Sequence, residues 1–379
     1  MSDTQKHTKP NVPNLRFPGF EGEWESCELG EISELSKGAG ISKDQRSSDG
    51  NPCILYGELY TTYLTEIIDE VVSKTNLDPT GLVKSKANDI IIPASGETAI
   101  DISTARCVLH DDVLLGGDLN IIRLNEQDGK FFSYQLNGVR KKDIARIAHG
   151  VSIVHLHGNA LSHIVVNYPS RREQEKISSL LSLIDQRIAI QNKVIEKYES
   201  LIKALAQEII GKNAPNKTLS ECVCCTSSIL KESDLEEAGA VPVYGAAGIS
   251  GFTDSVLYRG EDSILITKDG SGVGSLRYVR GPHSFVGTLN SMTPKEGIYL
   301  PYIYYALQNV CFESYRTGQA IPHIYFKDYG KEAIYCPSYE EQVRMAIGLE
   351  KIDAKIGLEK AALQSYKSAK VYLLSAMLI

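Results

Sequence analysis

Between Pro169 and Gly211 apolar residues recur at alternating steps of four and three, with no glycine or proline among them. Ile177, Leu181, Ile184, Ile188, Ile195, Tyr198, Ile202, Leu205 and Ile209 form the stripe, and Gln191 is its polar member. A seven-residue hydrophobic repeat of this kind predicts one long helix whose seam is built to pair with another helix. At 1.5 Å per residue it would be roughly 60 Å long. Ser170 is the expected N-cap, and Glu173 three residues later completes a capping box. Pro169 stands just outside the hydrogen-bonded turns, where its missing N–H costs nothing.

The pattern returns 168 positions later, where Pro337-Ser338-Tyr339-Glu340-Glu341-Gln342 echoes Pro169-Ser170-Arg171-Arg172-Glu173-Gln174. The offset holds without a gap to Ile379 and keeps Leu181/Leu349, Ile184/Ile352, Asp185/Asp353, Ile188/Ile356, Tyr198/Tyr366 and Leu205/Leu373 identical. The second seam runs Met345, Leu349, Ile352, Ile356, Leu363, Tyr366, Leu373 and Met377, with Glu359 in the place of Gln191. Lys370 stands where Ile202 stands, so the tip of the second helix is expected to fray or to need a partner. Upstream, Gly150/Gly318, Ile153/Ile321 and His155/His323 keep the same register. A shared period of this length means a duplicated unit, a globular part followed by a long helix.

The globular parts read as mixed short strands and helices. Asn88–Pro93 is an apolar run entering the turn Ala94–Thr98, and Ser263–Thr267 enters Lys268–Gly272 in the same way. Gly116–Ile122 reads as a turn and strand, and Leu289-Asn290 echoes Leu119-Asn120. Phe131 to Ile147 reads as helical, with Tyr134, Val139 and Ile144 inward, and Tyr299 to Asn309 as a short helix. The fold class expected is α+β: two α/β regions alternating with two long helices that form an antiparallel coiled coil with pseudo-two-fold symmetry. The boundaries are a flexible tail at 1–13, a first globular region at 14–168, a central helix at 169–212, a second region at 213–336 and a last helix at 337–379. Pairing of the helices is assigned to Ile177, Leu181, Ile184, Ile188, Ile195, Tyr198, Ile202, Leu205, Leu349, Ile352, Ile356, Leu363, Tyr366 and Leu373.

Composition adds exclusions. At 379 residues, 42% hydrophobic and 23% charged, the chain is expected to be folded and to hold more than one domain. No apolar run reaches the length of a membrane span and the first residues are polar, so a cytoplasmic location is expected. The net charge of −7 argues against a protein that coats nucleic acid without selectivity, though not against a local basic surface. Eight cysteines lack the spacing of a metal site and are read as small buried apolar residues. His155 and His157 make two ligands without a third and are read as structural. There is no phosphate-loop motif, and Gly270–Gly274 lacks the helix and acid of a dinucleotide fingerprint.

Taken together, the chain resembles the specificity subunit of type I restriction–modification systems along nearly its whole length. The marks are Arg16-Phe17-Pro18-Gly19-Phe20 with Trp24, Leu29-Gly30-Glu31, the two Pro-Ser-x-x-Glu-Gln helix starts, Val243-Tyr244-Gly245 and Gly318-Gln319-Ala320-Ile321-Pro322. The resemblance implies that each globular region is a target-recognition domain for half of a split, double-stranded DNA sequence. It implies that the paired helices act as a ruler, that two methylation subunits sit on them and that restriction subunits join. The chain itself would be no catalyst and would bind no cofactor or metal; S-adenosylmethionine, ATP and Mg would belong to the partners. The Asp/Asn-Pro-Pro-aromatic motif of base methylation is absent from this sequence.

For DNA contact the expected residues are polar and basic ones in turns. They are Lys37, Ser42 and Lys43 in a glycine-bearing loop, the turn Ser95-Gly96-Glu97-Thr98, and the basic group Arg140, Lys141 and Arg146. In the second half they are Tyr244, Lys268, Arg277, Arg316, Gln319 and His323. Arg and Lys neutralise phosphates, and Arg or Gln can pair two-pronged with base edges. Two other readings stay open: a methyltransferase or nuclease in its own right, and a coiled-coil adaptor that binds only protein.

Overall fold

The structure, a computed structural model, describes residues 11–150, 153–254, 262–319 and 321–379. Most of the expected tail and Ala320 lie outside them. The chain divides into two compact units. The first comprises Met1–Gln191 with Ala362–Ile379, the second Asn192–Ala361. Each unit takes one globular region and a part of both long helices, so the compact bodies cut across the linear segments read from the sequence.

In the first unit a five-stranded sheet runs in the order Ser33–Lys37, Leu119–Leu124, Ile90–Pro93, Arg106–Val108, Ile67–Ile68. Its central strands are buried except at Arg123, as continuous Ile/Leu runs should be when both faces are covered. Trp24, Phe131, Phe132 and Tyr168 fill the core on one face, with Trp24 edge-on to Phe131 at 5.7 Å. The expected single helix from Phe131 to Ile147 is two: Gly129–Asn137 and Lys141–Arg146. The break falls at Gly138, and Tyr134 and Ile144 still point inward on either side of it.

The second unit repeats the plan with a four-stranded sheet, Val223–Ser227, Leu289–Pro294, Ser263–Thr267, Leu276–Val279. A short helix, Leu300–Ala306, continues as a tighter turn to Asn309.

The long helices span Arg171–Ala206, followed by a π turn at Gln207–Gly211, and Tyr339–Met377. Every residue assigned to pairing is buried or half-buried, while Leu183, Ile190, Leu358 and Val371 off the seam are exposed. Ile177 and Leu181 share one apolar cluster with Leu373 and Met377 in the first unit, and Glu199 pairs with Lys360 at 2.7 Å in the second.

The helix starts explain the Glu-Gln motif. Gln174 accepts the Asp128 N–H at 3.0 Å and donates to the Pro169 carbonyl at 2.8 Å. Gln342 accepts the Tyr299 N–H at 2.9 Å and donates to the Pro337 carbonyl at 2.9 Å. Each glutamine thus ties the first turn of a long helix to the first turn of a short one, satisfying an N–H that helix geometry leaves over. Glu173 does not close the expected capping box. Its carboxylate takes both prongs of Arg16 at 2.7 and 2.8 Å, and Lys176 lies 5.0 Å over Phe17. The Arg16–Phe20 segment is therefore a clasp on the first long helix. Asn11, placed in the tail by the sequence, is bonded to Trp24 through both main chain and side chain.

Lys370 does not fray. Its ammonium lies 2.6 Å from Glu66 and 2.7 Å from Asp185, with all three side chains 16% exposed or less. The Tyr134 hydroxyl donates to the same Asp185 at 2.7 Å. Tyr134 is raised above the usual phenol range, by burial first and by Asp185 next. The cysteines are not uniformly buried: Cys224 and Cys311 are exposed, and Cys27 and Cys225 are half-covered.

Candidate nucleic-acid interface

Antiparallel register decides where the polar turns gather. Asn120 lies opposite both Lys37 and Ile92, and Leu119 opposite Pro93. The end of the first strand, the start of the second and the end of the third therefore meet at one end of the sheet. The other end carries Leu124, which leads to Asp128 and the tie to the long helix. The polar turns and the helix anchor are thus at opposite ends of one rigid element.

Most of the expected contact residues of the first unit come together at the free end. Lys37 is exposed, and Gly38 after it packs so close that a Cβ there would meet the Gly116 carbonyl at 2.0 Å. Ser42 caps a short turn with Gln45, whose side chain accepts the Ser42 N–H at 2.9 Å, and Lys43 projects from that turn. Ser95 and Gly96 pair with His155 and Val154. Thr98 caps the next helix through the Asp101 N–H at 3.1 Å, and Glu97 beside it is exposed. A cleft of about 740 Å³ opens among Ser42, Lys43, Arg46, Tyr56, Glu58, Tyr60 and Asp118. Glu58 at its floor is 6% exposed, accepts the Leu55 N–H at 2.9 Å and a hydrogen bond from Ser73, and lies 3.5 Å from Arg46. Burial raises Tyr60 above the usual phenol range.

Arg46, Tyr56 and Tyr60 were missed in the sequence. The signal available was the dipeptide Tyr56-Gly57, which echoes Tyr244-Gly245. The basic group is split: Arg146 is exposed and paired with Asp143 at 2.9 Å, whereas Arg140 and Lys141 are sheltered. Lys141 is lowered by burial first and by Arg106 second. His155 and His157 are exposed rather than structural core residues, because they face out from a strand whose Val154 and Leu156 face in.

The second unit gathers its residues at the matching sheet end. Thr267 is opposite Leu289, and Lys268 donates its N–H to the Thr288 carbonyl at 2.9 Å. His323 Nδ1 meets Asp269 at 2.7 Å, with Lys268 4.0 Å from the same carboxylate group. The Arg277 guanidinium lies 5.9 Å over the Tyr244 ring, a cation–π placement that fixes it beside the turn. Gln319 is exposed, and Arg316 is paired with Glu313 at 2.7 Å. Among the described residues no group of three or more His, Cys, Asp or Glu could hold a metal ion, and no helix is long and apolar enough to cross a membrane.

Two stretches of the chain, residues 21–200 and 219–366, match the model of the type I restriction modification DNA specificity domain. The chain belongs to that family. Solved structures agree in fold. The S subunit of the type I restriction–modification system from M. genitalium is 21% identical, with 97% of this chain and 99% of that one covered at a TM-score of 0.68. A chain from a study of complex assembly and conformational transition in the type I R-M system is 17% identical, with 96% and 98% covered at 0.53. No curated protein sequence matches. Membership gives the chain its role as a DNA sequence-specificity subunit. The two family matches each end in a long helix, so the duplication read from the seams is a duplication of the family's domain.

Proposed function

We propose that each unit reads one half of a bipartite double-stranded DNA target, and that the chain does no chemistry of its own. The observation that carries this is the repeated polarity of the two sheets. Each fastens one end to a long helix through Gln174 or Gln342 and gathers exposed cations, tyrosines and amides at the other. A rigid element with one anchored and one polar end presents side chains at a fixed place, which base readout requires. In this reading Lys37, Lys43, Lys268 and Arg277 meet phosphates, and Gln319 and Arg46 are suited to base edges.

The long helices pair as an antiparallel coiled coil and fix the spacing between half-sites, as a dimer of readers does on DNA. Their outer faces dock two methylation subunits, and restriction subunits complete the assembly. S-adenosylmethionine, ATP and Mg act on those partners in the cytoplasm. The contacts between the two helix seams and the family membership support this arrangement.

The test is methylation mapping in a host without methylation, expressing the chain with its methylation subunit. The expected result is a split motif with a constant gap that disappears when this chain is omitted. Equal methylation without it would leave only the adaptor reading. Exchanging residues 213–336 for another such region should change one half of the motif, and inserting four residues after Ile195 should lengthen the gap alone.

A further inference from the structure

The two units share an exposed apolar residue at one repeat register. Ile153 is 59% exposed and Ile321, at the same repeat register, is 60% exposed. Both follow a glycine held at positive φ, Gly150 at +129° and Gly318 at +83°. A Cβ on Gly150 would meet the Ile153 carbonyl oxygen at 2.0 Å, and one on Gly318 the Ile321 carbonyl oxygen at 2.6 Å. Each loop is closed by a pair of main-chain bonds, His149 with His155 at 2.9 and 2.7 Å and Thr317 with His323 at 2.9 and 2.8 Å. Each is also fastened to the polar end of its sheet, by Leu156 N–H to Ala94 at 2.8 Å and by Ile324 N–H to Lys268 at 2.9 Å.

Single exposed apolar residues are ordinary on a protein surface. Here the same β-branched residue recurs three residues after a positive-φ glycine, beside turns that have diverged from Ala94-Ser95-Gly96 to Lys268-Asp269-Gly270. A base-reading side chain should differ between two units that read different sequences. A shared isoleucine serves a task common to both. Its described neighbours in the chain include polar side chains, His155 and His157 in one unit and Gln319 and His323 in the other, groups that suit a nucleic-acid surface.

We propose that Ile153 and Ile321 are apolar wedges, each entering the duplex at a base step of its own half-site and loosening the stack there. Branching at Cβ leaves isoleucine few rotamers, so little freedom is lost on insertion. Side chains of this kind unstack base steps in other DNA-bending proteins. A base that is to be modified must leave the stack, and a neighbouring step already opened lowers that cost. The proposal rests on the DNA-reading role argued above.

The test uses the full chain with its methylation subunit and target duplexes carrying 2-aminopurine at single steps in either half-site. Wild-type binding should raise fluorescence at one step per half. Ile153→Ala and Ile321→Ala should each abolish the rise in one half only and weaken binding by about tenfold or more, with the ranking of base substitutions unchanged. Both residues are exposed, so the variants should fold normally. Wild-type affinity and an unaltered fluorescence rise in the variants would overturn the wedge and leave DNA recognition standing. Loss of the methylation subunit from the variants would overturn it in favour of a protein contact. Absence of selective binding by the wild-type complex would remove the DNA-reading role and the wedge with it.

Discussion

Lys370 of the second long helix reaches Asp185 of the first at 2.7 Å, and the repeat places Ile202 and Asp353 at the corresponding positions of the other unit. One duplicated site therefore holds a satisfied carboxylate and the other a carboxylate without that lysine. The first has become a sheltered ion cluster with Glu66 and Tyr134. The second lines a cleft of about 210 Å³ together with Glu199, Tyr304 and Lys360.

Lys370→Ala should lower stability by about 3–5 kcal/mol, because Asp185 and Glu66 are left close together, nearly buried and without their counter-charge. Urea unfolding of the variant measures this. A loss below about 1 kcal/mol would mean that water replaces the ammonium at no great cost.

Asp353 is raised above the usual aspartate value of 3.8, by burial first, against the opposing pull of Lys360 and Arg280. A carboxyl raised in the folded state favours folding most below its unfolded value, and that contribution is lost as pH rises. Asp353→Asn should therefore stabilise the protein at neutral pH, with the gain disappearing as pH falls below about 3.8. Thermal melts of the variant and the parent protein at pH 7 and at mildly acid pH would show it. A melting point lowered by Asp353→Asn at pH 7 would refute the account.

The paired glutamines should be equivalent. Gln174→Ala and Gln342→Ala each remove the acceptor of one helix-start N–H and should cost about 1–3 kcal/mol. Hydrogen exchange should quicken at Asp128 in the first variant and at Tyr299 in the second. Unchanged protection at those amides would show that the ties are incidental.

Arg16→Ala should release the N-terminal clasp. Glu173 is 1% exposed and takes both prongs of Arg16, so the variant buries a lone carboxylate and should lose about 3–5 kcal/mol. Limited proteolysis should then cut within residues 14–22 faster in the variant than in the intact protein. Arg16→Lys should restore only part of the stability, because an ammonium cannot match the fork.

The sequence by itself determined the duplication, the two long helices and their seams, because hydrophobic periodicity is a local property and the 168-residue offset can be read directly. It also determined the strands Ile90–Pro93 and Ser263–Thr267, whose apolar runs have few other uses. Only the tertiary structure decided which polar residues share a surface. Lys37 and Ser42, Ser95, and Asp118 come from three separate stretches of the chain, and antiparallel register brings them to one sheet end. Lys370 was misread for the same reason. A lysine in a hydrophobic seam looks like a defect until Glu66, 304 positions away in the chain, is seen beside it. Glu173 likewise belongs to Arg16 rather than to a cap, since a buried carboxylate gains more from a two-pronged guanidinium than from one backbone N–H.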